Sequence, residues 1–451
     1  MLVACKPTPL EPTVDPRDTT YTDTTIVPEP ISDPVMDSSL TIVKLTSVID
    51  RVQPMTGLVL WPSHGSIDKY KEVTTLEYSY CLPCRVVTGK TGDAVQYDWT
   101  YLEDILNEIS SRNHQAVLRF RYEYPGNREC GERGATAVPQ YIKDREDYNE
   151  TYYKCEDGAT YYADWSNSEL QWFTKQFYTD FAAKYGHDPR IAFLEVGFGH
   201  WSEYHIYGTP LKLGTNFPTK AYQNEFLLHI STVMPIPWLI SIDAADATYT
   251  AIVSTPEVMA LDFGNFDDSF MHKGHEISSH DGYNEESWNA IGQGTRWQRG
   301  PSGGEISYYT SADQRGFLNP NGLYGVTWEE AAAKYHISFM ISNDAPGSTY
   351  GTTKRFQEAG IASGYSFAVL GCRTGKGKTQ LLVTNEGIAP IYRDAYFAVG
   401  NIRCSQSLRG LLPGNKVLMD IPAELTDASG LHIVSDAVLP TQTIQFRADV
   451  K

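Results

Sequence analysis

The sequence predicts an α/β fold, a (β/α)8 TIM barrel followed by a small antiparallel β-sandwich. Two observations predict it. From residue 56 onward, eight short apolar runs alternate with helical patterns, and from residue 364 the helical patterns stop while short strands continue. Repeated βα units require a parallel sheet with helices packed against it, and eight of them close a barrel. A doubly wound sheet is the alternative, but no G-x-G-x-x-G follows an early strand.

Residues 1–39 open the chain as a lipobox remnant and tether. "LVAC" (Leu2–Cys5) resembles a bacterial lipobox, which makes Cys5 the expected lipidation site. Only four residues precede Cys5, too few for a charged n-region and an apolar h-region, so a trimmed or misassigned start is expected. The following Pro/Thr/Asp-rich stretch cannot bury a core and reads as a disordered tether. An exported protein, lipid-anchored to the bacterial outer membrane on its periplasmic or surface face, is the expectation.

Residues 40–363 form the expected barrel. Its strand runs are 57–61, 76–82, 116–122, 191–199, 238–243, 258–263, 296–305 and 336–344. The clearest helices are 97–113, with Leu102, Ile105, Leu106 and Ile109 as its apolar stripe, and 167–186, stopped by Gly186. Further helices are expected at 218–233, 284–292, 327–335 and 352–361. Residues 123–165 form a long decorated loop after the third strand, and loops of that length usually carry function or a staple. Residues 364–451 alternate strands with Gly, Pro and Asn turns, as a β-sandwich does.

Charge and cysteines narrow the function. With 37 Lys+Arg against 55 Asp+Glu the net charge is −18, which disfavours a nucleic-acid partner. Besides Cys5, six cysteines remain, an even number in an exported chain, and disulfides are expected. The simplest pairing joins Cys81 to Cys84, Cys130 to Cys155 and Cys372 to Cys404. No cofactor is implied, and no HExxH or EF-hand loop points to a metal.

Barrel active sites lie at the C-terminal ends of the strands. Past the fourth strand, "EVGFGHWSEYHIYG" (195–208) presents Trp201, Glu203, His205 and Tyr207 on one loop. Alternation along that strand turns Phe193, Glu195 and Gly197 into the lumen, so Glu195 is expected to be buried and paired with Arg or Lys. Glu203 lies beyond the strand among aromatic rings, where desolvation raises a carboxyl pKa toward that of a general acid. Glu305 ends the seventh run behind Gly303 and Gly304. Two carboxylates facing each other across a barrel mouth are what glycoside hydrolysis requires. Each has a bland alternative, a loop salt bridge for Glu203 and a helix-capping rim residue for Glu305. Expected substrate-binding residues are Trp61, Arg119, Tyr122, Glu123, Trp201, His205, Tyr207, Asp243, Asp267, Asp268, His272 and Asn343, each of which taken singly is as readily structural.

"GFGHWSEYH" resembles the G-x-G-x-x-G-E stretch of β-amylase-type barrels, where the Glu is the general acid; here Ser202 replaces the last glycine. The placement of Glu203 and Glu305 also resembles glycoside hydrolase clan A, without its Asn-Glu dipeptide on the fourth strand. Together with "QPMTGLVLWP", "YDWTYLEDIL", "NFDDSF", "PSGGE" and "LLVTNEGIAPIY", the chain resembles a family of secreted bacterial lipoproteins of largely unassigned activity, which join a glycoside-hydrolase-like barrel to a β-sandwich. The resemblance implies a hydrolase acting on a polysaccharide or its oligosaccharides. Glu203 would be its acid and Glu305 its nucleophile or base. The competing expectations are a glycan-binding lipoprotein that kept the barrel and lost the chemistry, and a structural or adhesive role.

Overall fold

Eight parallel strands close on themselves in chain order: β1 (Gly57–Leu60), β2 (Leu76–Cys81), β3 (Gln115–Phe120), β4 (Ile191–Glu195), β5 (Trp238–Ser241), β6 (Gly264–Phe270), β7 (Ser302–Ile306) and β8 (Phe339–Ile341). The computed structural model describes residues 33–61, 67–155, 158–274, 283–342 and 349–451. Cys5, most of the expected tether, and Asn343 lie outside the described residues. Among the described residues, no helix is long and apolar enough to cross a membrane.

The helices fall where the apolar stripes place them. Thr100–Ser111 turns Leu102, Leu106 and Ile109 inward. Ser168–Tyr185 begins where the Asn167 side chain accepts from the Leu170 N–H, satisfying one of the free donors of a helix start. Lys220–Val233, Tyr283–Ala290, Trp328–Tyr335 and Thr353–Ile361 complete the main outer layer.

Two strand expectations are corrected. The apolar run 258–263 is not the sixth strand: Pro256–Met259 is a helical turn with proline at its start, where a missing N–H costs nothing. The strand is the polar segment Gly264–Phe270, so Asp267 and Asp268 sit within it rather than after it. The seventh strand starts later than expected, at Ser302. Arg296 instead ends a short helix and donates to the carbonyls of Ile291, Leu261 and Met259.

The lumen is packed, not hollow. Phe193 and Phe339 stack across its centre, with ring centroids 4.9 Å apart and 18° between planes. Gly303 makes room for that stack, since a Cβ there would stand 2.4 Å from the Phe339 ring. Gly304 has φ +137° and lies against the Asp267 backbone, where an added Cβ would meet the carbonyl oxygen at 2.0 Å. The glycine pair therefore serves packing inside the barrel.

The C-terminal region is a β-rich domain with two sheets over a shared core that includes Phe367, Leu381, Phe397, Ile433 and Phe446. Its longest strands, Phe367–Gly375 and Lys378–Asn385, pair antiparallel, whereas Arg447–Val450 runs parallel to the first. Thr41–Ile42 and Leu45–Ser47, from the stretch expected to begin the barrel, pair with this sheet instead. The domain is bolted to the N-terminal end of the barrel: Gln115, first residue of β3, donates to the Ala437 carbonyl at 2.8 Å, and the Tyr365 hydroxyl donates to Pro54 O at 3.0 Å.

The expected cysteine pairs do not form, and the six cysteines of residues 81–404 carry free thiols. Cys81 ends β2 facing the helix layer, while Cys84 sits in the next turn and meets Cys130, Sγ to Sγ 3.2 Å. Cys155 faces Thr160. Cys372 and Cys404 are buried in the β-domain core without being bonded.

Phe339→Ala is expected to cost about 3–5 kcal/mol, because it removes a fully buried ring and leaves a void above Gly303. Urea denaturation measures it, and a loss below about 1 kcal/mol would mean that the lumen is not packed around this ring.

Candidate active site

The loop after β4 is held by backbone contacts that few sequences could make. Gly197 lies so close to the loop's return that a Cβ would meet Ser202 O at 2.0 Å. Trp201, Ser202 and Tyr204 all have φ between 52° and 65°, the left-handed region that costs side-chain-bearing residues of order 1 kcal/mol each. Hydrogen bonds hold that conformation: Ser202 Oγ donates to Phe120 O at 2.9 Å, Trp201 N–H to Glu123 O at 3.2 Å, and His200 N–H to His205 O at 2.9 Å. The loop is thus tied to the end of β3, and Glu203 is aimed across the barrel mouth.

Arg119, on β3, organises what Glu203 meets. Its side chain is fully buried, and its guanidinium lies 4.3 Å from the Phe266 ring centroid. Nε donates to Glu195 Oε2 at 2.8 Å, Nη1 donates to Glu203 Oε1, and Nη2 stands 3.6 Å from Glu305 Oε1. One cation therefore faces three buried carboxyl groups, from β4, the loop beyond it, and β7. Burial raises the pKa of all three. Glu203 is lifted well above the ordinary carboxyl value by burial, with Arg119 opposing and Asp268 and Glu305 adding to the rise. Burial, opposed by Arg119, pushes Glu305 up to about 8. Asp268, half-buried on the lumen side of β6, is pushed up to about 7 by burial and by Asp243.

Above these groups opens a cavity of about 680 Å³, within the range of small-molecule sites. Glu203, Asp268 and Glu305 form its floor. Trp61, Tyr80, Tyr124, Trp201, Tyr207, Tyr308 and Tyr309 form much of its wall, with Asn127 and Glu129 from the long loop after β3. Tyr207, Tyr308 and Tyr309 are exposed, so their rings stand at the rim.

The structure brings Trp61, Trp201, Glu203, Tyr207, Asp268 and Glu305 together in this cavity. It places the other expected residues elsewhere. Arg119 lies beneath the floor. Tyr122 packs among the helices, its hydroxyl 2.9 Å from Thr174 Oγ1. Glu123 is buried, accepts from the Ala163 N–H at 3.1 Å, and is pushed up to about 8 by burial. Asp267 points to the helix layer and accepts from Trp288 Nε1 at 2.9 Å. His272 sits 3.0 Å from Asp313. His205 and Asp243 stand behind the cavity wall, joined at 2.7 Å. Tyr80, Tyr124, Tyr308 and Tyr309 are cavity residues that sequence reasoning missed. Tyr80 follows the same alternation that placed Glu195, and Tyr308 and Tyr309 follow Glu305 directly. Asn127 and Glu129 carried no local signal.

No protein-family model matches the chain, and no curated protein matches it. Solved structures with a similar barrel do exist. The catalytic domain of β-amylase from Paenibacillus polymyxa matches over 68% of this chain and 99% of its own, at 13% identity and a TM-score of 0.43. The intracellular xylanase TsXylA from Thermoanaerobacterium saccharolyticum matches over 68% and 89%, at 10% identity and a TM-score of 0.36. A β-galactosidase from Rahnella sp. R3 matches over 73% of this chain, which spans 59% of it, at 10% identity and a TM-score of 0.38. All three are glycoside hydrolases. No residue role is carried over from them.

The raised pKa of Glu305 has a sign that stability measurements can check. Between its ordinary value of 4.5 and about 8, the folded protein keeps a proton that the unfolded chain releases. Stability contributed by this group therefore falls as pH rises through that window and levels off above it. Glu305→Gln removes the effect, so the melting temperature of the variant relative to the native protein should climb between pH 5 and 8, by about 2 °C or more. A difference independent of pH would show that Glu305 is ionised throughout.

Proposed function

We propose that the protein is a glycoside hydrolase cleaving a polysaccharide or derived oligosaccharide with two carboxyl groups. Glu203 is the general acid and Glu305 the nucleophile or base. One observation carries this reading: Glu203 and Glu305 come from opposite parts of the strand order, line the same cavity and face the same buried guanidinium.

The chemistry follows from that arrangement. A raised pKa keeps a proton on Glu203, and Oε1 can still accept from Arg119 while Oε2 carries the proton into the cavity. Transfer of that proton to the glycosidic oxygen lets the leaving sugar depart as an alcohol. The carboxylate formed is then stabilised by Arg119. Glu305, once ionised, attacks the sugar C1 or takes a proton from water that does so. Rings of Trp61, Trp201 and the rim tyrosines offer flat faces for the C–H faces of sugars.

The grip of Arg119 on Glu203 favours one second reading, a glycan-binding protein that holds sugar without cleaving it. Product analysis separates the two. Incubation with a panel of plant, algal and host polysaccharides is expected to release oligosaccharides or reducing ends. Glu305→Gln and Glu203→Gln should each lower turnover by about 10²–10⁴-fold while leaving the circular dichroism spectrum unchanged. Undiminished turnover in either variant would remove that residue from the mechanism, and retention of a glycan without product would establish the binding reading.

The same reading places the chain at the bacterial outer membrane through a lipid on Cys5, supported by the "LVAC" pattern and the Pro/Thr/Asp-rich stretch after it. Cells fed an alkyne fatty acid should label the native protein and not Cys5→Ala. Equal labelling of both would exclude this anchor.

A further inference from the structure

At the cavity floor and the wall behind it, Glu203, His205 and Asp268 each offer one ligand atom, and the three atoms lie within 4.8 Å of one another. We propose that these side chains form a binding site for a divalent transition-metal ion such as Zn²⁺, with Asp243 holding the histidine in its ligating form.

The histidine carries the argument. His205 is 2% exposed, and its Nε2 has no hydrogen-bond partner among the described residues. Its Nδ1 is 2.7 Å from Asp243 Oδ2, and a carboxylate can only accept, so Nδ1 carries a proton and the neutral ring offers its lone pair at Nε2. That lone pair faces Glu203 Oε2, 3.9 Å away. With Glu203 ionised, two lone pairs face each other in a buried place; a metal ion that displaces the Glu203 proton to solvent on binding is held by both. Asp243 is itself held, accepting from the Tyr283 hydroxyl at 3.1 Å. The imidazole is stacked on Tyr207, with ring centroids 4.0 Å apart and 21° between planes. A carboxylate on the far nitrogen and a fixed ring plane are the supporting features of histidine ligands in metal sites.

The donor set suits the ion proposed. One imidazole nitrogen and two carboxylate oxygens match zinc, cobalt or manganese. Tetrahedral N and O ligands at about 2.0–2.2 Å from zinc stand roughly 3.4 Å apart, so atoms up to 4.8 Å apart need to close by up to about 1.4 Å. Asp268 makes no hydrogen bond among the described residues that would hold its carboxylate in place. A fourth position then opens toward the cavity. The site is distinct from any sequence motif, since Asp268 lies 63 positions from His205 and reaches it only through barrel closure.

Binding does not depend on the proposed hydrolase activity, but one consequence does. A metal on Glu203 Oε2 occupies the oxygen that would deliver the proton, so saturating zinc should abolish hydrolysis.

The untagged full chain, stripped with a chelator, is titrated with Zn²⁺ by calorimetry and assayed for metal after dialysis. One equivalent is expected, with binding weakened at least tenfold in His205→Gln and Asp268→Asn, and about 10–100-fold in Asp243→Asn. X-ray absorption of the native zinc complex should show nitrogen and oxygen neighbours only, a measurement that stands even where a variant fails to fold. Because Cys84 and Cys130 offer a competing thiol pair, Cys84→Ser should leave binding unchanged. Sulfur in the zinc shell, loss of binding in Cys84→Ser, the absence of stoichiometric binding, or native affinity in Asp268→Asn would each overturn the site. Zinc bound at this site in a protein that cleaves no glycan leaves the site standing and counts against the hydrolase reading alone.

Discussion

A single buried cation, the guanidinium of Arg119, is the constraint around which the barrel mouth is built. Taking a guanidinium out of water costs several kcal/mol unless hydrogen bonds and opposite charge replace the solvent. Here Glu195 replaces it from the neighbouring strand, Phe266 covers one face, and Glu203 closes the ring of acceptors. Because that cation cannot give up its proton, the carboxyl groups around it are the ones that adjust. Glu195 holds it permanently within the lumen. Glu203 and Glu305 share what is left of its field, and with Asp268 nearby the site has more acid than base.

That imbalance makes the floor of the cavity reactive. Three carboxyl groups in a desolvated pocket repel one another when all are ionised, so protons are retained or a cation is drawn in. Proton retention is what acid catalysis on a glycosidic oxygen needs, and cation capture is what the lone pair of His205 invites. Both responses spring from one electrostatic excess, and both pass through Glu203.

The rest of the architecture protects this arrangement. The lumen below is filled by the stacked rings of Phe193 and Phe339. The β-rich domain grips the N-terminal end of the barrel, so it supports the strands without covering the cavity. Above, the left-handed turn at Trp201, Ser202 and Tyr204 is held by contacts to Phe120 and Glu123, and strain of that kind persists only where the surroundings dictate it.

Periodicity is a local property, and what depends on it was legible in the sequence: the eight-strand count, the helices, the inward turn of Glu195 by strand alternation, and the two carboxylates at the ends of the fourth and seventh strands. The polar sixth strand escaped because its surroundings come from far away in the chain, Trp288 against Asp267 and the cavity against Asp268, which no window of residues can show. The cysteines escaped for the same reason, since proximity in sequence put Cys81 beside Cys84 whereas the fold turned Cys84 toward Cys130. The sequence by itself determined that acids and rings would gather at one end of a barrel. Only the tertiary structure decided which of them share Arg119 and which nitrogen of His205 lacks a partner, because charge and hydrogen bonding act through space and are set by how the strands close.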